Sequence, residues 1–411
     1  MKRIYYGWWI VLGASLINFF GSGTFYYSFT AFFNPIVNEF GWSYAATSFA
    51  ASLRSVEAGI ASPLVGLAAD RYGARCLILL GSVLTGLGFI FLSQINSLWT
   101  YYIVFVFFSI GYSLLVPVAG FTAVANWFGR KRGTALGLVS AAVAPSGIFV
   151  FVVNWLISLY GWRATLIILG VGTWMVGIPC SLIMRSNPEF CGPIPKKGIQ
   201  SNSLSRNPDR SAREKGLRIK ESGVLQALKT RAFWIIALTV TVSSIALAST
   251  TVHIMPYLIS VHFSREQASL VVFLLVFVSI IGRLGLGALS DRMDKRRLLA
   301  FGLFLQALGL LIFCKTETLW QALIFVFLFG PGFGGIITLR LVILGEYFGR
   351  EVFGSIQGIT LGIMTIGAMA GPFLTGMVYD IYKSYRLAWL ILAIVIFATI
   401  PLSLKIPDRK H

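Results

Sequence analysis

Three arginines, Arg54, Arg283 and Arg340, and one glutamate, Glu57, lie inside long apolar runs of this 411-residue chain. A charge in such surroundings is costly unless it faces a cavity or a partner, so each is a candidate for chemistry. Arg283 stands in VVFLLVFVSIIGRLGLGALSDR. Its guanidinium is a planar fork that matches a carboxylate. The competing reading is a snorkelling side chain or a fixed pair to an acid, and few acids lie in the runs of that half. Arg54 and Glu57 are three apart in SLRSVEAGIASP, a spacing that puts them on one helix face. Such a pair either locks two helices together or opens when Glu57 is protonated or an anion competes for Arg54. Glu57 is the carboxylate deepest in a run of the first half, which makes it the coupling candidate. His253, in TTVHIMPYL, either hydrogen-bonds a neighbouring helix or takes part in proton exchange or anion binding, for which imidazole is suited. Arg340, in ITLRLVILGEYFG, reads with Glu346 as a gate or interfacial anchor. Among Tyr26, Tyr27, Tyr112 and Tyr257, the last three are candidates to offer hydroxyls to a substrate, although tyrosines in such runs more often pack or sit at interfaces.

The elements that must position these groups are helices in a bilayer. Only 12% of residues are charged, against about 25% in a soluble globular protein. Apolar runs of membrane-spanning length occupy about 6–33, 43–68, 75–95, 98–126, 132–159, 163–185, 232–260, 266–289, 297–315, 318–346, 352–380 and 385–405. A helix satisfies its own backbone in lipid, and the short alternating segments of a β-barrel are absent from the pattern. The expected fold is an all-α membrane protein of twelve spans, with bundles at 1–185 and 232–411 joined by a flexible polar segment at 186–231. The last part of that segment, from Ser222 to Arg231, reads as a short interfacial helix. Lys2 and Arg3 precede the first run, which is too long for a signal-peptide core and is read as an uncleaved first span.

The net charge of +19 would point to nucleic acid in a soluble protein. Here the cations follow topology instead. Of 34 Lys and Arg, 26 fall in loops on one side of the predicted spans and five on the other. That bias puts both termini and the central segment in the cytoplasm. Cys76, Cys180, Cys191 and Cys314 are scattered without a zinc or disulfide pattern, so no metal, cofactor or nucleic-acid partner is expected.

One phrase occurs twice. Gly66, Asp70, Arg71 and Arg75 in GLAADRYGAR match Gly287, Asp291, Arg292 and Arg296 in GALSDRMDKR, at an offset of 221. Phe128-Gly129-Arg130 answers Phe348-Gly349-Arg350 at 220, and Trp162-Arg163 answers Tyr385-Arg386 at 223. Three matches at nearly one offset indicate tandem halves. Asp70 and Asp291 are read as latches that pair with arginines or with helix N-termini across the cytoplasmic face.

The duplicated Gly-x-x-x-Asp-Arg-x-x-x-Arg phrase resembles the loop signature of the major facilitator superfamily. Its second copy departs from the pattern, with Asp294 where the first has Gly73. Within the superfamily, Tyr6-Gly7-Trp8, the phrase EFGWS at 39–43, the phrase WFGRKRG at 127–133 and Arg283 resemble the prokaryotic monocarboxylate-transporter and oxalate/formate-antiporter group. That resemblance implies that Arg283 binds a substrate carboxylate. The lysine in the first helix and the aspartate one turn before the arginine, present in animal monocarboxylate transporters, are missing here, where Ser279 stands at the second place. Proton coupling by those groups does not carry over.

The expected function is a secondary transporter of small organic anions, monocarboxylates first among them, with proton symport or anion exchange. It would be a monomer, multi-pass in the cell (inner) membrane. The rival within the class is an exporter of drugs or other metabolites. A membrane enzyme is the rival outside it, but the sequence has no paired catalytic carboxylates, nucleophile motif or GxxxxGK[ST] phosphate loop.

Overall fold

A computed structural model of the chain describes residues 5–42, 44–116, 118–129, 131–185 and 223–407. The described residues are almost wholly helical. Gly7–Gly21, a π-helical turn Ser22–Tyr27 and Phe29–Phe40 together make α1; α2 is Tyr44–Tyr72 and α3 is Ala74–Leu92. Leu98–Leu115 and Ala119–Trp127 make α4. Arg132–Ala141, a 3-10 turn Ala144–Ile148 and the first part of Phe149–Ile183 make α5. The rest of that last helix is α6, because Gly161, at φ 77° and ψ 165°, turns the chain back between them. The second half follows as α7 Arg231–Ser260, α8 Arg265–Leu289, α9 Lys295–Cys314, α10 Leu319–Tyr347, α11 Phe353–Tyr382 and α12 Arg386–Leu404.

Ten segments among the described residues are long and apolar enough to cross a membrane. One of them, Arg132–Ile183, is 52 residues, far beyond the roughly 17–25 of a single crossing; it holds both α5 and α6. The 29-residue α2 is the remaining crossing, diluted by its own Arg54, Glu57 and Asp70. Twelve crossings in two six-helix bundles result. Residues 186–222 of the expected connecting segment lie outside the described residues, and 223–229 form a short helix that buries Val224 and Ala227.

The halves repeat in detail. Ser97 caps α4 by accepting from the Thr100 backbone, and Thr318 caps α10 by accepting from Gln321. These residues are 221 apart, so one local signal starts the same helix in each bundle. The Gly73/Asp294 departure sits at another matched start. Gly73 enters α3 at φ 81° with no side-chain cap, whereas Asp294 enters α9 at φ −61° and accepts from Arg296 N. Glycine solves that corner by backbone freedom and aspartate by a cap. On the far face, Arg163 donates to Ile95 O and to Glu39, and Arg386 donates to Glu317. Ile95 and Glu317 are 222 apart, so both arginines staple the last helix of their bundle to the same loop.

One asymmetry bears on function. Three helices of the first bundle, α1, α4 and α5, are interrupted part-way along, and the break in α1 adjoins both of the others. A Cβ at Gly21 would meet Val116, and one at Gly23 would meet Ser146 O and Phe149. The matching helices α7, α10 and α11 run unbroken.

Candidate functional site

The bundles are joined at one face by two reciprocal latches. Asp70, at the end of α2, accepts hydrogen bonds from Gly354 N at 2.9 Å, Ser355 N at 2.7 Å and the Ser355 hydroxyl at 2.5 Å. Asp291, just after α8, accepts from Gly133 N at 2.8 Å, Thr134 N at 3.0 Å and the Thr134 hydroxyl at 2.6 Å. Each carboxylate therefore takes first-turn donors of a helix in the opposite bundle, α11 for Asp70 and α5 for Asp291. These donors have no partner inside their own helix, and the helix dipole favours a negative charge there. Helix N-termini, one of the two kinds of partner expected for the aspartates, receive both. The approach needs glycine. A Cβ on Gly66 would run into the Gly354 carbonyl, and one on Gly133 into the Gly287 carbonyl.

The arginines of the duplicated phrase lie beside the latches. Arg71 extends over the ring of Tyr72, and Arg71, Arg75 and Arg292 are exposed. Arg296 is held by Asp294 at 2.9 Å and by Ile406 O; that guanidinium keeps the Asp294 carboxyl below the usual carboxylate range. Glu346 pairs with Lys295 at 2.9 Å. Sequence reasoning missed Arg132, which is buried and donates to Phe128 O and Ala125 O at the end of α4. Its guanidinium also lies against Gly345 of α10. Only its place in a basic loop signalled it, and that signal does not separate it from Lys131.

Above the latches, Arg283 of α8 crosses the seam. It is 8% exposed and donates through Nη1 to Ser140 O at 2.5 Å. Ser140 is the second-last residue of the first piece of α5, so Arg283 reaches the carbonyl end of a helix segment, the negative end of its dipole. The Ser140 hydroxyl meets Thr338 of α10 at 2.8 Å. The two bundles thus share a buried Arg283–Ser140–Thr338 cluster where α5 breaks. Arg283 is buried between the two bundles.

The second polar centre is in the first bundle. Glu57 accepts from the Ser113 hydroxyl of α4 at 3.1 Å through Oε2, and its Oε1 is buried without a hydrogen bond. Arg54 sits 5.5 Å over the ring of Phe25, which stacks on Tyr112 at 4.1 Å. Phe25 belongs to the π-helical turn of α1, so the Arg54–Glu57 face of α2 is tied to two broken helices. The side chain of Tyr27 lies outside the described structure.

The remaining candidates are not brought to either centre. Tyr257 is 1% exposed, and its hydroxyl donates to Phe313 O at 2.7 Å, where α9 ends. His253 Nε2 lies 2.9 Å from Pro372 O of α11, with its ring 5.3 Å from that of Tyr385. It is seven residues from the end of α7 remote from the latches, while Arg283 is eighteen from the matching end of α8. At 1.5 Å per residue their backbones differ in depth by roughly 16 Å.

Duplicated latches, a charged seam and two six-helix bundles match a known architecture. The Major Facilitator Superfamily model matches residues 13–264 and 240–411. The chain belongs to that superfamily. Monocarboxylate transporter 2 of Mesocricetus auratus is 25% identical over 92% of this chain and 80% of its own. Monocarboxylate transporter 12 of Xenopus laevis is 26% identical over 98% and 90%. An uncharacterized MFS-type transporter of Bacillus subtilis (strain 168), YcxA, is 24% identical over 92% and 90%. Among solved structures, the E. coli fucose:proton symporter superposes with a TM-score of 0.71 at 13% identity, covering 98% of this chain and 100% of that one. A proton:xylose symporter gives 0.72 at 14%, with 98% and 97% covered. These last two share the fold. The protein is a multi-pass membrane transporter of small molecules and not an enzyme.

Proposed function

We propose that the protein carries small organic anions, monocarboxylates first among them, by alternating access between its two bundles. One observation carries the reading: a buried guanidinium at the seam, Arg283, whose Nη1 donates to a neutral carbonyl of the opposite bundle. A carboxylate offers that fork a bidentate, charged acceptor in place of a neutral one. Binding would then displace Ser140 and loosen the seam. The two similar monocarboxylate transporters, named for the same substrate class, support this reading.

The moving units are 1–185 and 232–411, joined by 186–231, in a monomer of the cell membrane with both termini cytoplasmic. The latch face is then the cytoplasmic face, and the arrangement seen is the one closed to the cytoplasm. Gly66, Asp70, Asp291 and their neighbours Arg71, Arg75, Arg292 and Arg296 act in gating. Glu57 with Arg54 is the coupling centre for proton symport; anion exchange would use Arg54 as a competing cation. Tyr112, stacked under Phe25, is the tyrosine placed to touch a ligand near Arg54.

Uptake into vesicles tests this. Arg283→Gln should abolish carboxylate uptake, because an amide cannot replace the charged fork, while the protein remains folded. Full uptake by that variant would remove the anion reading and leave an exporter of uncharged compounds as the better one.

A further inference from the structure

Among the described residues, Arg340 is a buried charge with one weak hydrogen-bond acceptor. It is 6% exposed. Its guanidinium donates to one atom, Met364 Sδ of α11 at 2.9 Å, and its Nε has no acceptor. No carboxylate pairs with it among the described residues, since Glu346, its partner in the sequence reading, is engaged by Lys295. A guanidinium has five N–H donors and a thioether is a weak acceptor. A buried cation in that condition lacks the acceptors that would compensate its desolvation.

Direction matters as much as isolation. A snorkelling arginine near the cytoplasmic end of α10 would point out toward the loops. Arg340 points the other way. Met364 lies ten residues into α11 from Gly354, which puts it about 15 Å above the Asp70 latch at 1.5 Å per residue. Gln357, Thr360 and Met364 share one face of α11, and the first two are fully buried. Met364 is half-buried and its side chain is adaptable, so an oxygen ligand can displace it from the guanidinium. Arg283 lies eight residues above Asp291, roughly 12 Å at 1.5 Å per residue, so Met364 and Arg283 stand at similar depth. The α10 helix that carries Arg340 packs directly along α8, with Gly282 against Pro331 and Gly334 against Ser279.

We propose that Arg340, between α10 and α11, is a second anion-binding group, which takes the far oxygen group of a carboxylate held at Arg283. The transported anion then carries a second acceptor, a hydroxyl, oxo or carboxyl group, beyond its first carboxylate. The proposal rests on the anion reading of Arg283 and changes the role of Arg340 from gate to selector.

The test compares propionate, lactate and malonate as substrates of the full chain in vesicles, for the wild type, R340Q and R283Q. Loss of a charged hydrogen bond corresponds to about 10- to 100-fold in affinity. R340Q should therefore raise KM for lactate and malonate about 10- to 100-fold more than for propionate. A fall in maximal rate shared by all three acids, with unchanged KM ratios, would show a gate and overturn the proposal. R283Q separates the two readings. If it carries propionate as the wild type does, the anion reading fails whatever Arg340 does; if it loses all three acids while R340Q leaves the KM ratios unchanged, only the present proposal fails. Wild-type protein stabilised by none of the three acids in thermal melts would overturn both. The ligand-free melt of R340M guards against a folding artefact. A selector without counter-charge predicts an equal or higher melting temperature, and a lower one in both R340M and R340Q would show an arginine kept for packing.

Discussion

At the residue scale the division of labour between Glu57 and Arg283 is testable. Glu57 receives one hydroxyl, from Ser113, and its other oxygen is buried without a donor. Under the symport reading, Glu57 is the carboxyl that gains and loses a proton during transport. Glu57→Gln keeps the shape and removes the proton. It should lower uptake driven by a pH gradient about tenfold or more and leave exchange of labelled for unlabelled substrate nearly unchanged. Measuring both modes in the same vesicles checks it, and equal losses would reject Glu57 as the proton carrier. Arg283→Lys separates charge from fork. A lysine keeps the cation but not the bidentate geometry, so uptake should fall by about 10- to 100-fold; wild-type uptake would show that charge alone suffices.

At the scale of elements, the repeat was legible and the breaks much less so. The 221-residue offset located matched helix ends, because caps, tight corners and charged loops depend on a few neighbouring residues. The interruptions left a weaker trace: Pro117 and Pro145 stand at the breaks of α4 and α5, but Pro256, Pro331 and Pro372 lie in helices that run unbroken. Hydropathy sums over about 20 residues, and a π-helical turn at Ser22–Tyr27 is as apolar as the helix around it. The first span was read as ending near Phe33, before Asn34 and Pro35, yet helix continues to Phe40. Arg283 was legible as a buried charge, whereas its partner Ser140 is 143 positions away and looks like any helical serine. The aspartates were readable as latches in kind, but their partners at Gly354 and Gly133 required the packing of α2 on α11 and α8 on α5. The Asp294 cap gives a prediction at this scale. Its carboxyl lies below its ordinary range because Arg296 hydrogen-bonds it. A depressed carboxyl contributes stability that is present above the unfolded value and is lost as pH falls through the folded one. Asp294→Ala should cost about 0.5–2 kcal/mol at neutral pH, the usual value of an N-cap. The difference from wild type should shrink on acidification below the normal carboxylate range, as followed by thermal melts across pH.

At the scale of the whole molecule, the two latches act on one equilibrium. Asp70 and Asp291 lie on opposite bundles and grip opposite helices, so a single rocking motion must break both. Their contributions to the closed state therefore add, provided the sites do not touch, as expected for independent positions. Each carboxylate uses both oxygens to accept backbone N–H groups, and asparagine has one accepting oxygen, so Asp→Asn removes the charge and at least one hydrogen bond, about 1–3 kcal/mol per site. Each single variant should shift the closed-to-open ratio about 5- to 100-fold, and Asp70→Asn with Asp291→Asn together by the product of the two factors. Spin labels at Tyr72 and Glu351, exposed residues at the ends of α2 and α11, would report the distance across the seam after replacement of the native cysteines. A longer-distance population that grows multiplicatively from single to double variant supports one rigid rocking step. If the double variant matches the stronger single one, the face opens in two separate movements and the bundles do not move as units. Anion binding at Arg283 enters the same balance, because displacing Ser140 removes a contact of the closed seam. A transported carboxylate should therefore add to the open fraction in the latch variants, and a variant lacking Arg283 should not respond to it.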